Sequence, residues 1–387
     1  MENAIRSKAI GLRALRQGQR PAVLWLALAI VLAGCATHGA RETRRQRPEV
    51  VQAQILRLMP AGVSDREGWA VDIAAAFAAQ ELPATQQNLC AVLTVTEQES
   101  GFRVHPVIPD LPQIARRAID ERAAERHVPG LLVDAALALK SPDGRSYRSR
   151  LASVRTESQL SDMFEDFIGM VPLGKNLFGR FNPVETGGPM QVSVSFAKAH
   201  AGAYPYPVAK SIRNEVFSRR GGMYFGIMHL LGFPVDYPRS IYLFADYNAG
   251  WYASRNAAFQ HAVSQLTGIP LQLDGDQIDY GSSEPGQTER ALRTLSGQLR
   301  LGDRAIRAAL ERGEQRDFRK TRLYERVFAL ADQKKHTTLP RVMLPDIMLD
   351  SPKITRKLTT AWFARQVDTR YERCMRQNPN QSALSQS

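Results

Sequence analysis

The amino-acid sequence predicts a mainly helical, all-α protein, and two observations lead to this prediction. From about residue 49 to residue 376, apolar residues recur every three or four positions, and Gly or Pro interrupts the pattern at short intervals. Over the same stretch we find no convincing run of alternating apolar and polar residues, which would indicate strands. The predicted helices cover 49–58, 65–80, 85–100, 111–127, 156–169, 194–201, 208–231, 237–249, 251–267, 286–300, 303–312, 318–334 and 352–376.

The first 35 residues have the pattern of a signal peptide. Several basic residues precede an apolar run, Ala22–Ala33, that is shorter than the roughly 20 residues needed to span a bilayer. The run ends in Leu32-Ala33-Gly34-Cys35, which resembles a bacterial lipobox with Cys35 as the lipidated residue. Acyl chains on Cys35 would anchor the protein to a membrane without crossing it. Ala36, by resemblance to known lipoproteins, favours the outer membrane, with the protein facing the periplasm.

The formal net charge of +13 is concentrated in part near the N-terminus, where residues 36–48 form a basic tether. An exported lipoprotein rarely meets nucleic acid. We therefore expect its partners to be acidic lipid head groups and the peptide carboxylates of the bacterial cell wall, peptidoglycan. We find no zinc-type cysteine spacing and no phosphate-binding glycine loop, and we predict neither a cofactor nor a metal.

Cys90 and Cys374 are the thiols that remain besides Cys35. In an oxidising compartment two states stay open for them. Either they form a disulfide between the C-terminal helix and the helix at 85–100, or both are buried free thiols.

Glu99 is the best candidate for a general acid. It follows the apolar stripe of the predicted helix 85–100 at spacings of three and four, so its carboxyl is expected to point inward. Gly101 ends that helix, which places Glu99 in the last turn. Burial and the negative end of the helix both favour the protonated carboxyl that a glycosidic oxygen needs. An ion pair with Arg103 is the alternative, and Glu97 is the weaker candidate because it faces elsewhere.

Two further motifs carry chemistry. Gly187-Gly188-Pro189 is a tight turn without side-chain bulk, which lets backbone approach a ligand, and Met190-Gln191 follows it. Tyr247-Asn248-Ala249 closes the helix 237–249, and Gly250 is expected to supply the left-handed conformation after the helix.

In order along the chain, Glu99-Ser100, Gly187–Gln191 and Tyr247–Gly250 resemble the catalytic "ES", "GLMQ" and "AYNAG" elements of lytic transglycosylases. These goose-type-lysozyme-like enzymes cleave the glycan strands of peptidoglycan. The resemblance implies an α+β lysozyme-like core within the mainly helical chain. We therefore expect a catalytic domain at 49–270 with an insertion at about 103–180. The stretch Ile269–Pro285 is rich in Asp, Gly and Ser and is the best domain boundary, so we predict a separate helical C-terminal lobe at 286–376.

The resemblance also implies roles for single residues. Glu99 would act first as general acid and then as base, and the products would carry 1,6-anhydromuramoyl ends. Asp246 departs from the family pattern, which commonly has Ala there, and Pro189 replaces the usual Leu. The residues implied to contact the substrate are Ser100, Gly188, Met190, Gln191, Tyr247 and Asn248.

Two other functions stay open. If Asp166, Glu165 or Glu185 reaches the cleft, a second carboxylate could activate water and the protein would be a hydrolysing muramidase. Alternatively, a non-catalytic lipoprotein could use the groove to hold glycan or a protein of the cell-wall machinery.

Overall fold

Helices dominate the computed structural model, which describes residues 46–170, 182–349 and 357–377. The described residues all belong to one compact unit, Gln46–Ser387. The predicted signal peptide, Cys35 and most of the basic tether lie outside the described residues. Within the described ranges, no helix combines the length and the apolar character needed to cross a membrane.

Polar caps begin many of these helices. Thr85 accepts a hydrogen bond from the Asn88 amide, and Ser193 accepts one from the Phe196 amide. The described elements in chain order are α1 (Pro48–Leu58), α2 (Arg66–Ala79), α3 (Gln86–Ser100), α4 (Leu111–Glu125), α5 (Gly130–Ala138), α6 (Tyr147–Ser153), α7 (Glu157–Gly169), β1 (Thr186–Gly187), β2 (Val192–Ser193), α8 (Val194–Ala199), a 3₁₀ turn (Ala201–Ala203), α9 (Ile212–Val216), α10 (Arg219–Leu231), α11 (Ile241–Ala249), α12 (Ala253–Thr267), α13 (Gln287–Arg293), α14 (Ser296–Leu299), α15 (Asp303–Leu310), a 3₁₀ helix (Arg316–Lys320), α16 (Arg322–Lys335) and α17 (Thr360–Met375).

Several boundaries differ from the sequence prediction. The helix predicted at 208–231 is divided into α9 and α10, because the Ser218 hydroxyl caps a new helix by accepting a hydrogen bond from the Gly221 amide at 2.9 Å. The last helix begins at Thr360 rather than at 352, after a cap by Thr359. Helices α5 and α6 were not predicted. The antiparallel strands β1 and β2 were also missed, since two residues per strand are too few to show alternation.

The main core joins helices from both ends of the chain. Buried residues of α1 to α3 pack with α10, α11 and α17, and with the residues around β2. Ile73, Leu89, Phe225 and Phe244 are among its fully buried side chains. This main core contains the stretch from Leu89 to Val95 of α3 and most of α11, the two helices that carry Glu99 and Tyr247.

Two further clusters lie beside the main core. Helices α4 to α7, in the predicted insertion, bury their own set of side chains, including Tyr147 and Met163. A third cluster is formed by the second half of α12 with α13 to α16, and Phe259 and Phe318 are fully buried in it. Each cluster is built from consecutive helices, as short connections favour.

The predicted C-terminal lobe at 286–376 needs correction. Helices α13 to α16 form the third cluster, but α17 packs against α3 and α11 in the main core. Cys374 on α17 is joined to Cys90 on α3 by a disulfide. The periodicity of α17 shows that it has an apolar face, but it does not show which helices cover that face.

Reduction of this disulfide should destabilise the protein strongly. It closes a loop with a sequence separation of 284 residues, for which the chain-entropy argument gives an upper value of about 5 to 6 kcal/mol. Since removal of a native disulfide typically costs about 2 to 5 kcal/mol, we expect a loss of that size in the free energy of unfolding. Urea denaturation with and without dithiothreitol measures this loss. The control is the double variant Cys90→Ala/Cys374→Ala, whose unfolding should not respond to the reductant. Equal stability of the oxidised and reduced native protein would contradict the expectation.

Candidate active site

Glu99 lies in the last turn of α3, where the sequence placed it. The helix ends at Ser100, and Gly101 follows in the left-handed conformation with a φ of 58°. The Glu99 side chain is half-buried, so it is less enclosed than the inward-pointing stripe suggested. Glu97 faces away as predicted, since its carboxylate pairs with Arg373 at 3.0 Å.

Tyr247 of α11 interacts both with Glu99 and with the glycine turn. Its side chain is buried, and burial together with the negative charge of Glu99 raises the pKa of its hydroxyl well above the usual value. The two side chains therefore lie near enough to interact electrostatically. The Tyr247 hydroxyl also donates a hydrogen bond to the main-chain carbonyl of Met190. The structure thus brings the three sequence motifs together.

The glycine turn is held tightly between β1 and β2. Gly188 has a φ of 72°, and a Cβ atom at this position would overlap the carbonyl oxygen of Val216. Met190 is fully buried against α10, where Gly226 leaves room for it: a Cβ at Gly226 would lie 2.6 Å from the Met190 Cβ. Close packing therefore fixes the position of the Met190 carbonyl that accepts the Tyr247 hydrogen bond.

Gln191 faces the helical insertion. Its backbone has a φ of 50°, which is unusual for a residue other than glycine, and its amide donates to the Gly188 carbonyl at 3.1 Å. Its side-chain Nε2 donates to Glu157 Oε2 at 2.9 Å. Glu157 begins α7 and is 6% exposed. A buried carboxylate from the insertion therefore orients the Gln191 side chain.

Sequence reasoning did not identify Glu157. An acidic residue directly after a Thr cap is typical of the start of any helix, where it faces the positive end of the helix dipole. Its position therefore gave no sign of a partner beyond its own helix. Only the packing of α7 against the β1–β2 turn reveals it.

The three carboxylates considered for a hydrolytic mechanism are held by arginines instead. Among the described residues, none of the three forms a hydrogen bond with Gln191 or Tyr247. Their ion pairs are Asp166 with Arg150 at 2.8 Å, Glu165 with Arg213 at 3.5 Å, and Glu185 with Arg122 at 3.2 Å.

Ser100 and Asn248 have different surroundings. Ser100 is buried, and its hydroxyl donates to the Thr96 carbonyl within α3 at 3.1 Å. Asn248 is exposed at the end of α11, and its Oδ1 accepts from the Thr360 hydroxyl at 2.8 Å. Gly250 has φ 110° and ψ 157°, which corrects the predicted left-handed helical conformation, although the positive φ still favours glycine.

Asp246 is a structural residue rather than a charge at the cleft. It is fully buried and accepts hydrogen bonds from the Tyr237 hydroxyl and the Ser254 amide, both at 2.6 Å. Burial raises the pKa of Asp246 to about 7. This carboxyl joins α11 to the start of α12 at the chain position where the resembled family commonly has Ala.

A group of aromatic rings supports the other side of Tyr247. His229 Nε2 lies 3.0 Å from the Tyr247 carbonyl oxygen, and the Trp251 indole donates to the His229 carbonyl at 2.8 Å. Burial lowers the pKa of His229 to about 4, so its imidazole is neutral at pH 7. Trp251 also stacks on Phe233, with ring centroids 5.3 Å apart. These rings fix the end of α11 and hence the tyrosine.

Comparison with known proteins gives a family and a relative. Residues 62–377 match the model of a family described as "Protein of unknown function (DUF1615)". The chain is 52% identical over 355 residues to the "Uncharacterized protein YaiW" of Escherichia coli (strain K12), covering 92% of this chain and 98% of that protein. No solved structure matches the chain significantly.

The buried carboxyl of Asp246 should make stability depend on pH. In the folded state its pKa is about 7, against an ordinary value of 3.8. Between these values the folded protein holds a proton that the unfolded chain releases. The free energy of unfolding should therefore fall as pH rises through this range, by up to about 1.4 kcal/mol per unit, and level off above the folded pKa.

Asp246→Asn isolates this contribution, because the other titrating groups are common to both proteins. Urea denaturation at several pH values should show the native protein losing stability relative to the variant as pH rises from about 4 to about 7. Two parallel pH profiles would show that Asp246 is ionised in the folded state.

Proposed function

This chain belongs to the DUF1615 family. From its motifs and their arrangement, we propose that it cleaves peptidoglycan glycan strands as a lytic transglycosylase-like enzyme. The observation that carries the proposal is the electrostatic interaction between Glu99 and Tyr247. These residues are distant in sequence, and the resembled enzymes place the same pair of residue types beside each other. The hydrogen bond from Tyr247 to the Met190 carbonyl supports the proposal further, because it joins the glycine turn, the second motif, to the tyrosine of the third.

In the proposed domain, the main core and the β1–β2 hairpin together form a lysozyme-like catalytic unit. The helical insertion lies between Glu99 and the hairpin in sequence and contributes Glu157 to the Gln191 side chain. Helices α4 to α7 therefore help to position a residue of the site. Half-buried Gln191 and exposed Asn248 would contact the glycan, and the buried residues Met190 and Tyr247 would support them from beneath.

The chemistry requires one carboxyl in two protonation states. Protonated Glu99 would give its proton to the glycosidic oxygen as the bond to the muramoyl anomeric carbon breaks. The substrate's N-acetyl oxygen would bond to that carbon. Glu99, now a carboxylate, would take the proton of the C6 hydroxyl, whose oxygen would displace the N-acetyl oxygen and form the 1,6-anhydro ring. No water is consumed, and Glu99 ends protonated.

The position of Glu99, half-buried at the C-terminal end of α3, supports its protonated form at the start of the reaction. Partial negative charge at a helix C-terminus and loss of solvent both disfavour a carboxylate. The neighbouring Tyr247 hydroxyl is itself held in its neutral form, because its pKa is raised. Tyr247 therefore adds no negative charge next to the Glu99 carboxyl.

A hydrolysing muramidase is the second candidate function, and Glu157 is the observation that favours it. This buried carboxylate contacts Gln191 in the same turn that Tyr247 contacts. If Glu157 activates a water, it would replace Asp166, Glu165 and Glu185 as the second carboxylate.

We further propose that lipidated Cys35 anchors the protein to the outer membrane, facing the periplasm. Its substrate, the glycan of the wall, is found in that compartment. The non-catalytic alternative, in which the groove holds glycan or a protein of the cell-wall machinery, shares this location. It differs in requiring no proton transfer by Glu99.

Glu99→Gln should lower turnover of purified peptidoglycan by about 10² to 10⁴, because the amide cannot transfer a proton. The rate of release of soluble muropeptides measures this. Glu97→Gln is the matched control, since it makes the same change two residues away at a surface ion pair with Arg373 and should keep nearly full activity. Undiminished turnover by Glu99→Gln would exclude Glu99 as the general acid. Sacculus binding by the native protein without any release of muropeptides would favour the non-catalytic alternative.

The products and a Glu157→Gln variant separate the two enzymes. We expect anhydro ends, lighter than reducing ends by one water, and turnover by the variant within roughly tenfold of native, because Gln can still hydrogen-bond to Gln191. Mass spectrometry of the muropeptides identifies the ends. Reducing ends together with a much larger loss in Glu157→Gln would establish the hydrolytic mechanism instead.

A further inference from the structure

A basic cavity of about 410 Å³ lies apart from the candidate active site. It is enclosed by the loop at 234–238, the start of α12 and the 3₁₀ helix Arg316–Lys320, and its lining includes neither Glu99 nor Tyr247. Tyr252 and Tyr324 also contribute to its walls. Its size falls within the range of small-molecule sites.

The charges that line the cavity are unbalanced. Five basic side chains face one acidic side chain, Asp236, which pairs with Arg319 at 2.8 Å. Arg341 pairs with Asp332 at 2.6 Å. Within the described ranges, Arg316 and Lys320 are exposed and have neither an ion pair nor a side-chain hydrogen bond. The lining therefore carries more positive charge than the protein itself neutralises.

Arg255 is the innermost of these basic groups and is only 5% exposed. Its guanidinium donates to the main-chain carbonyls of Gly313 and Gln315, and it lies over the Tyr252 ring at 4.2 Å from the centroid. No carboxylate of the described residues forms an ion pair with it. Carbonyls and rings hold this cation in place, and the buried Asp246 carboxyl acts on it electrostatically without forming an ion pair. A buried guanidinium without a direct carboxylate partner is costly and is stabilised when an anion approaches.

We propose that this cavity binds a phosphorylated organic anion. Guanidinium groups hydrogen-bond phosphate oxygens in pairs, and several of them around one cavity suit a group that carries more than one negative charge. The cavity is larger than phosphate alone requires, so the ligand carries an organic part. The rings of Tyr252 and Tyr324 offer that part an apolar surface.

A soluble phosphate ester and the head group of a phospholipid share this chemistry. Both would direct phosphate oxygens toward Arg316 and Lys320 at the mouth, with Arg255 behind them. The site does not depend on the proposed glycan cleavage, because the cavity and the Glu99 site have no lining residue in common. Variants of the cavity should therefore leave the release of muropeptides unchanged.

Binding of glycerol phosphate to the purified full-length chain, measured by calorimetry at low salt, tests the proposal. The variant Arg316→Ala/Lys320→Ala should bind at least about tenfold more weakly, because it loses two charge-assisted contacts. It should also fold normally, since both side chains are exposed. The matched control is Arg304→Ala/Lys335→Ala, which removes two exposed basic residues outside the cavity and should bind as the native protein does.

Vesicles and a dicarboxylate complete the experiment. Cosedimentation with phosphatidylglycerol vesicles that is weakened by the cavity variant, but not by the control, would assign the site to a phospholipid. Weakened binding of soluble glycerol phosphate alone would assign it to a soluble ester. The proposal is overturned if succinate binds as tightly as glycerol phosphate. It is also overturned if neither phosphate probe binds, or if the cavity variant and the control behave alike.

Discussion

The buried hydrogen bond from the Tyr247 hydroxyl to the Met190 carbonyl is the constraint on which the candidate site depends. It joins α11 to the β1–β2 turn inside the main core, where both residues are buried from solvent. The turn can accept it only because glycine at 188 and 226 lets the backbone and Met190 pack closely against α9 and α10. Glu99 interacts electrostatically with the same tyrosine, so Tyr247 is the residue that the three motifs share.

The supporting structure comes from distant parts of the chain. Helix α17 covers α3 and α11 and is tied to α3 by the Cys90–Cys374 disulfide, so the C-terminal region braces the two helices that carry Glu99 and Tyr247. The insertion adds Glu157 to the Gln191 side chain. Asp246, buried and bonded to Ser254, connects the end of α11 to α12 and so to the third cluster.

Two regions of different chemistry therefore share one fold. The candidate active site combines the half-buried acid Glu99 with the buried hydroxyl of Tyr247, which suits proton transfer. The cavity around Arg255 and Arg316 concentrates positive charge that the protein does not neutralise, which suits an anion. Asp246 lies in the last turn of α11 and Arg255 in the first turn of α12. These two consecutive helices therefore connect the candidate active site to the basic cavity.

The sequence by itself determined the helical class, the helix end at Gly101 and the three motifs, because these depend on local periodicity and on residues near one another in the chain. Only the tertiary structure decided that α17 joins the main core, that Glu157 meets Gln191 and that Asp246 is buried. An amphipathic helix shows that it has a face to bury, and an acid shows that it can accept hydrogen bonds. Neither pattern specifies the partner, because that choice depends on packing between elements that are far apart along the chain.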